Sequence, residues 1–180
     1  IEGNIFAFGG NEVQPTIHQY LPEKTNIPEY TIQKAKSILE TTGISEGYCY
    51  VYNLGDGDLV MALAENSTLR ITALDPDPVK VEQLRIKFDA VGLYGERVNI
   101  QLGDPYSFKS PPYIASLIVF ESFEAEDIDY IKSIYPSVRA YGGTICFIAE
   151  DESPDVIKKI EAMGLAQANV KADKNLLLVT

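Results

Sequence analysis

Apolar and polar residues form blocks along this chain, and the blocks differ in periodicity. Short runs rich in β-branched and aromatic residues predict buried strands, whereas longer segments with apolar residues three and four positions apart predict helices. The predicted strands are 48–52, 69–74, 97–102, 113–120, 143–149, 165–170 and 176–180. The predicted helices are 28–42, 58–64, 78–91, 126–140 and 154–163. This alternation predicts an α/β fold with a mostly parallel sheet.

Polar residues, prolines and glycines mark where these elements begin and end. Asp77 and Ser153 are predicted N-caps, each followed by a proline at the first helical position. Gly43 is placed to end the first helix. The last two predicted strands are joined only by the polar turn 171–175, so we expect them to pair antiparallel.

The chain is organised around the turn Asn53-Leu54-Gly55-Asp56-Gly57, between the first strand and the next helix. Glycine takes positive φ easily and asparagine tolerates it, which favours a sharp turn here. Strand, glycine turn and helix together place bare backbone N–H groups beside a polar ligand. Asp75 ends the second predicted strand eighteen residues after Gly57. An acid at about this spacing binds a ribose diol in nucleotide-binding folds.

Composition narrows the possible functions. The chain has 180 residues, which suits one domain, and its formal charge of −11 disfavours a nucleic-acid partner. No apolar run approaches the roughly 20 residues of a membrane-spanning helix. The only histidine, His18, falls in a predicted linker and is interpreted as incidental, so no metal cluster is predicted. Ile1 is not a natural start, so we expect an excised piece of a longer protein, and its cellular location is unknown.

The two cysteines, Cys49 and Cys146, fall in the first and fifth predicted strands. With the fourth strand between them, their Cα atoms would lie beyond the roughly 7 Å that a disulfide can bridge. Both are predicted to be buried free thiols.

From about Pro28 to Thr180 the chain resembles a class I S-adenosylmethionine-dependent methyltransferase. The glycine turn, Asp75, the pair Gly103-Asp104 after the third strand, and the terminal hairpin carry the resemblance, together with the phrases 90–98 and 130–143. The resemblance implies a Rossmann-like seven-stranded sheet in the order 3-2-1-4-5-7-6. Only the last strand would be antiparallel, and helices would cover both faces.

The first ten residues, Ile-Glu-Gly-Asn-Ile-Phe-Ala-Phe-Gly-Gly, resemble a strand of a quinoprotein-type (PQQ-like) β-propeller repeat. We therefore expect residues 1–14 to be an edge strand or linker and residues 15–180 to be the methyltransferase-like domain. The whole looks closest to the methyltransferase-like module of bacterial propeller proteins, so the expected partner is a larger propeller-containing chain.

The resemblance also implies residue roles. The turn Asn53, Leu54, Gly55, Asp56 and Gly57 would hold the methionine part of S-adenosylmethionine. Asp75 would accept hydrogen bonds from both ribose hydroxyls. Pro76 and Asp77 would flank the adenine, Asp104 with Pro105 would meet its amino group, and Glu121 and Ser122 would open onto the substrate pocket. The implied reaction is direct displacement of the sulfonium methyl by a substrate nucleophile, which needs positioning more than side-chain chemistry.

Two residues depart from the family pattern. Asn53 stands where the family has its first glycine, and Val51 stands where it has an acid. We therefore expect weak cofactor binding. The leading hypothesis is a methyltransferase domain whose substrate, a small molecule or a protein, is unknown. One alternative is a catalytically silent structural or interaction module. A second is a nicotinamide-dependent dehydrogenase, but the terminal hairpin and Gly103-Asp104 argue against it. The phrase Ser110-Pro-Pro-Tyr113 matches a motif of amino-group methyltransferases, but it precedes the fourth strand and is interpreted as a turn.

Overall fold

The strands of the computed structural model form one seven-stranded sheet in the order β3-β2-β1-β4-β5-β7-β6. The structure describes residues 9–10, 21–122, 128–148, 154–165, 168–173 and 175–180. The strands are β1 Tyr48–Tyr52, β2 Arg70–Asp75, β3 Val98–Leu102, β4 Ala115–Phe120, β5 Thr144–Ile148, β6 Val170–Asp173 and β7 Leu176–Val179. The helices are α1 Glu29–Thr42, α2 Asp58–Glu65, α3 Pro78–Ala90, α4 Tyr130–Ile134 and α5 Pro154–Ala162, with a 3₁₀ turn at Tyr135–Ser137.

The predicted strand order and directions are confirmed. Strands β1 to β5 pair in parallel, whereas β7 is antiparallel to both β5 and β6. The short link between β6 and β7 leaves no room for a crossover helix, so these two strands form a hairpin. Strand order reverses at β1, because β2 and β3 lie on one side of it and β4 on the other.

Both faces of the sheet are buried. Along β1, Cys49 and Val51 contribute to one core cluster with helices α1, α2 and α3, whereas Tyr50 and Tyr52 contribute to a second with α4 and α5. This alternation follows from the period of two of a strand. Cys49 and Cys146 are buried and free, as predicted, with β4 between their strands. The two core clusters, one with α1, α2 and α3 and the other with α4 and α5, confirm the prediction that helices cover both faces of the sheet.

The predicted signals at helix ends hold where the structure describes them. The Asp77 carboxylate accepts a hydrogen bond from the Val79 N–H at 2.9 Å, and Pro78 is the first residue of α3. Gly43 ends α1 with φ 68°. Pro28 is the residue before α1 rather than part of its first turn. Ser153 lies outside the described residues.

Several predicted boundaries are wrong. The strand expected at 165–170 is β6 at Val170–Asp173, so the hairpin turn is shorter than the predicted turn. The helix expected over 126–140 gives way to a 3₁₀ turn after Ile134, because Pro136 cannot donate the hydrogen bond that a helix interior needs. The fourth strand begins at Ala115 rather than at position 113.

Most of the N-terminal segment cannot be compared with its prediction. Apart from Gly9 and Gly10, residues 1–20 lie outside the described residues, and they include the propeller-like phrase and His18. The division at residue 14 therefore stays a prediction. In the part of the chain that the structure describes, no helix is long and apolar enough to cross a membrane.

Candidate functional site

The carboxyl ends of four parallel strands place the predicted site residues along one edge of the sheet. β1 leads into the glycine turn, β2 ends at Asp75, β3 is followed by Gly103, and β4 is followed by Glu121. Ligands of open α/β sheets bind in the crevice outside these strand ends, at the point where the strand order reverses. Here that point lies between β1 and β4.

The glycine turn owes its shape to three different residues. Asn53 and Gly57 take left-handed conformations, with φ 56° and φ 86°. A Cβ on Gly57 would lie 2.8 Å from Leu84 and 2.9 Å from Phe88, so this glycine also lets α3 pack against the turn. Leu54 is buried in the core, which leaves only its backbone to face a ligand.

Gly55 is needed for a close contact with the end of β4. Its N–H donates to Glu121 Oε2 at 3.0 Å, and a Cβ on Gly55 would lie 2.8 Å from Glu121 Oε1. The Asn53 side chain donates to the Ser122 carbonyl at 3.0 Å. The turn and the residues after β4 are thus tied together at two points. The turn also binds itself, because Asp56 Oδ1 accepts from the Asp58 N–H at 3.0 Å.

The environment of Glu121 disfavours its ionised form. Burial raises the pKa of this carboxyl above its ordinary value of 4.5, and the Asp56 carboxylate raises it further. The hydrogen bond from the Gly55 N–H and the charges of Lys34 and Lys80 oppose the rise without cancelling it. Glu121 is therefore a partly desolvated acid whose ionised form would be stabilised by a nearby cation.

Asp75 is buried, with 3% of its surface exposed, and held in one orientation. Its Oδ1 accepts from the Asp77 N–H at 3.0 Å, and its Oδ2 lies 2.8 Å from the Lys80 ammonium. A carboxylate has about four lone-pair positions, so two remain for other donors. Pro76 and Asp77 are exposed beside it, where a ligand could lie.

Asp104 uses its carboxylate to shape its own loop. Its Oδ1 accepts from the Tyr106 N–H at 2.7 Å and the Ser107 N–H at 3.0 Å, and these bonds hold its pKa below the ordinary value. The preceding Gly103 donates its N–H to the Asp75 carbonyl at 3.0 Å. Pro105 is buried. Because β2 and β3 are neighbours in the sheet, Asp75 and Asp104 lie at neighbouring strand ends.

A cavity of about 240 Å³ opens beside the turn. Its walls come from the first half of α1, the glycine turn, the start of α2 and the end of β4, and its lining residues are Tyr30, Thr31, Lys34, Gly55, Asp56, Leu59 and Glu121. Sequence reasoning missed the three residues from α1. Two signals were available: Tyr30 and Lys34 are four positions apart and share a helix face, and the resemblance implies that the helix before the first strand covers the cofactor edge.

A series of packed aromatic side chains runs from the buried core to the neighbouring part of this edge, where Tyr106 is exposed. Tyr106 and Tyr130 pack edge to face at 4.7 Å, Tyr130 stacks on Phe120 at 6.5 Å, and Phe120 stacks on Tyr52 at 5.2 Å. Sequence reasoning did not assign Tyr106 or Tyr130 to the site. The described residues contain no group of three or more potential metal ligands.

Neither a known family model nor a curated protein sequence matches this chain. Solved structures do. A proposed S-adenosyl-L-methionine-dependent methyltransferase of Methanococcus maripaludis is 20% identical, with a TM-score of 0.70 and 83% of each chain covered. An O-methyltransferase of Thermotoga maritima is 13% identical, with a TM-score of 0.63 and coverage of 82% of this chain and 63% of that one. The fold is therefore the Rossmann-like fold of S-adenosylmethionine-dependent methyltransferases.

The same fold also carries other chemistry. The [4+2]-cyclase SpnF matches with a TM-score of 0.64 at 15% identity, over 78% of this chain and 58% of that one. Because unrelated activities share the fold, the function has to be argued from the site.

Proposed function

We propose that this chain binds S-adenosylmethionine in the crevice at the carboxyl ends of β1 and β2 and is a methyltransferase of unassigned substrate. The observation that carries the proposal is the buried Asp75 carboxylate, held at the end of the strand next to the one that leads into the glycine turn, with about two acceptor positions that the described residues leave unused. A ribose diol would donate two hydrogen bonds to it. Hydrogen bonds of this kind, with a charged acceptor, contribute about 1.5–3 kcal/mol each.

The charge around the turn supports a cationic nucleoside over a dinucleotide. Carboxylates of Asp56, Asp58 and Glu121 lie at or beside the turn. Among the described residues, Asp58 alone of these three forms an ion pair, with Lys87 at 2.7 Å. A pyrophosphate would bring two further negative charges to this place. S-adenosylmethionine instead brings a sulfonium, an ammonium and one carboxylate, so it is a net cation. The charge pattern therefore disfavours the nicotinamide-dependent dehydrogenase.

Bound in the crevice, S-adenosylmethionine would supply a methyl group for transfer to a nucleophile in line with the sulfonium carbon–sulfur bond. The chain's own contribution is positioning. Asp75 holds the ribose, Pro76 and Asp77 flank the adenine, and Asp104 with the buried Pro105 bounds it. Tyr106 after β3 and Tyr130 in α4, which pack edge to face at 4.7 Å, would exclude water from the acceptor side.

The second candidate is the silent module, as part of a larger β-propeller protein. Val51 offers no charge to a ligand, and the Asn53 side chain is bonded to the Ser122 carbonyl within the turn region. Both observations favour weak or absent cofactor binding. The propeller context rests on the resemblance of residues 1–10.

Calorimetric titration decides between these candidates. S-adenosylmethionine and S-adenosylhomocysteine should bind the native protein weakly, and Asp75→Ala should abolish binding. Glu96→Ala is the matched control, because it removes an exposed carboxylate at the opposite edge of the sheet. No heat up to millimolar ligand, with circular dichroism showing an intact fold, would favour the silent module. Binding of NAD instead would favour the dehydrogenase.

A further inference from the structure

The first strand lacks the acid that this fold would place near the cofactor's ammonium. Val51 occupies that position, is fully buried and packs in the apolar core. The neighbouring strand provides a carboxylate nearby. Tyr52 pairs with Phe120 in the sheet, and the Glu121 N–H donates to the Tyr52 carbonyl at 3.1 Å, so Glu121 follows directly at the same edge.

The Glu121 carboxylate contacts the glycine turn at Gly55. Its Oε2 accepts from the Gly55 N–H, and its Oε1 occupies the space that a Cβ on Gly55 would need. A carboxylate that is partly buried, beside the carboxylate of Asp56, gains from a cationic neighbour. One oxygen can keep the backbone contact while the other accepts from a ligand.

Lys34 supplies the opposite charge on the other wall of the same cavity. It extends from the first half of α1, is partly buried, and makes no ion pair with any described residue. A cavity with one carboxylate and one ammonium on its walls matches an α-amino-acid group, which carries both charges on one carbon. The volume of about 240 Å³ leaves room for such a group beside the turn.

We propose that Glu121 and Lys34 together bind the amino-acid end of the cofactor, with Glu121 accepting from its ammonium and Lys34 donating to its carboxylate. This inference rests on the proposed function and assigns Glu121 to the cofactor rather than to the substrate pocket. It also explains how the chain can retain a cofactor site without an acid at position 51.

Ligands that lack one part of the amino-acid end test each contact separately. S-adenosylhomocysteine carries both charges, decarboxylated S-adenosylmethionine lacks the carboxylate, and 5′-methylthioadenosine lacks the amino-acid group. Glu121→Gln keeps the size of the side chain and an acceptor for Gly55, and Lys34→Met keeps the length of the side chain. Lys36→Met is the control, because Lys36 is exposed on the same helix.

By calorimetry, Glu121→Gln should weaken binding of S-adenosylhomocysteine and of decarboxylated S-adenosylmethionine by about tenfold. Glu121→Gln should leave the affinity for 5′-methylthioadenosine unchanged. Lys34→Met should weaken the binding of S-adenosylhomocysteine alone, by a similar factor. Lys36→Met should leave the affinity for all three ligands unchanged.

Equal or tighter binding of S-adenosylhomocysteine to Glu121→Gln would overturn the inference, because Glu121 would then be a bystander or an obstruction. Native protein that binds 5′-methylthioadenosine as tightly as S-adenosylhomocysteine would also overturn it, while leaving the adenosine site and the proposed function in place. If the native protein binds none of the three ligands, the proposed function fails and this inference fails with it.

Discussion

The proposed ribose end and the proposed amino-acid end of the candidate site lie at the same edge of the sheet but are built in different ways. At the ribose end, Asp75, the Asp77 N–H and Lys80 come from one stretch of six residues. At the amino-acid end, Lys34, Gly55 and Glu121 come from three distant segments. A site built from one stretch keeps its geometry through local hydrogen bonds. A site built from several segments depends on how helices and strands pack.

Because the amino-acid end is assembled from several segments, a charge missing from one of them can be supplied by another. Asp75 ends β2, whereas the buried core residue Val51 lies in β1 where the resemblance to methyltransferases leads us to expect an acid. A charge supplied from another segment can compensate only if the turn stays bare enough for that segment to approach. Gly55 meets this condition, because its missing Cβ is where Glu121 lies.

The largest expected effect is a loss of stability on substitution of Gly57, the last residue of the glycine turn. Gly57→Ala should destabilise the protein by about 2–4 kcal/mol, because φ 86° is unfavourable for alanine and the added Cβ would crowd Leu84 and Phe88. Chemical denaturation measures the loss. Gly95→Ala is the control, because Gly95 has φ 79° but no atom within 4 Å of the added Cβ, and it should cost only about 1 kcal/mol. Equal losses for the two variants would contradict the packing argument.

The next effect separates the two ends. Asp75→Asn should weaken the binding of S-adenosylhomocysteine and of 5′-methylthioadenosine alike, by about tenfold to a hundredfold, because both ligands carry the ribose diol. Glu121→Gln is its counterpart, since it should affect only the ligand with the amino-acid group. Competition binding against S-adenosylhomocysteine measures both. If Asp75→Asn affected one ligand alone, the assignment of Asp75 to the ribose would be wrong.

Acidification should weaken the proposed contact between Glu121 and the ligand's ammonium. The pKa of Glu121 lies above its ordinary value of 4.5, so the side chain becomes protonated earlier than an exposed glutamate as the pH falls. A protonated Glu121 cannot pair with an ammonium. The preference for S-adenosylhomocysteine over 5′-methylthioadenosine should therefore fall, by up to about tenfold, as the pH drops from neutral through this pKa. Glu121→Gln should show no such pH dependence in calorimetry.

The same raised pKa predicts an opposite effect on stability. A raised pKa in the folded state means that Glu121 contributes stability below its unfolded pKa and that this contribution is lost as the pH rises through the folded value. Without ligand, Glu121→Gln should therefore unfold at a higher temperature than the native protein at neutral pH. The difference should shrink in acid. A lower unfolding temperature at neutral pH would contradict the idea that the charge is retained for binding.

The smallest effect is expected from the cation that orients Asp75. The Lys80 side chain is 34% exposed, so its ion pair with Asp75 is worth about 1 kcal/mol. Lys80→Met should weaken the binding of both S-adenosylhomocysteine and 5′-methylthioadenosine by about fivefold, since Asp75 would lose one of the two groups that fix its rotamer. Lys36→Met again controls for the loss of a positive charge. Tighter binding to Lys80→Met would instead mean that Lys80 competes with the ribose.

The sequence predicted best what depends on contacts near in sequence. The caps of α3 and α1 follow from Asp77 and Gly43, because each forms a hydrogen bond within a few residues, and Pro78 begins α3 because its fixed φ suits the first helical position. Most strands were placed within two residues, since a run of apolar residues is needed wherever both faces of a strand are buried. The element over 126–140 was misjudged because apolar spacing continues past Pro136, where the helical hydrogen bonds end.

By itself the sequence determined the alternation of strands and helices, the terminal hairpin, the turn with its left-handed Asn53 and Gly57, and the acid that ends β2. These are properties of single segments, decided by side-chain periodicity and backbone freedom. Only the tertiary structure decided that Glu121, sixty-six residues from Gly55, lies on that glycine, and that Lys34 lies across the cavity from it. Which strand ends meet depends on the order of strands in the sheet, and that order is set by the packing of the whole core.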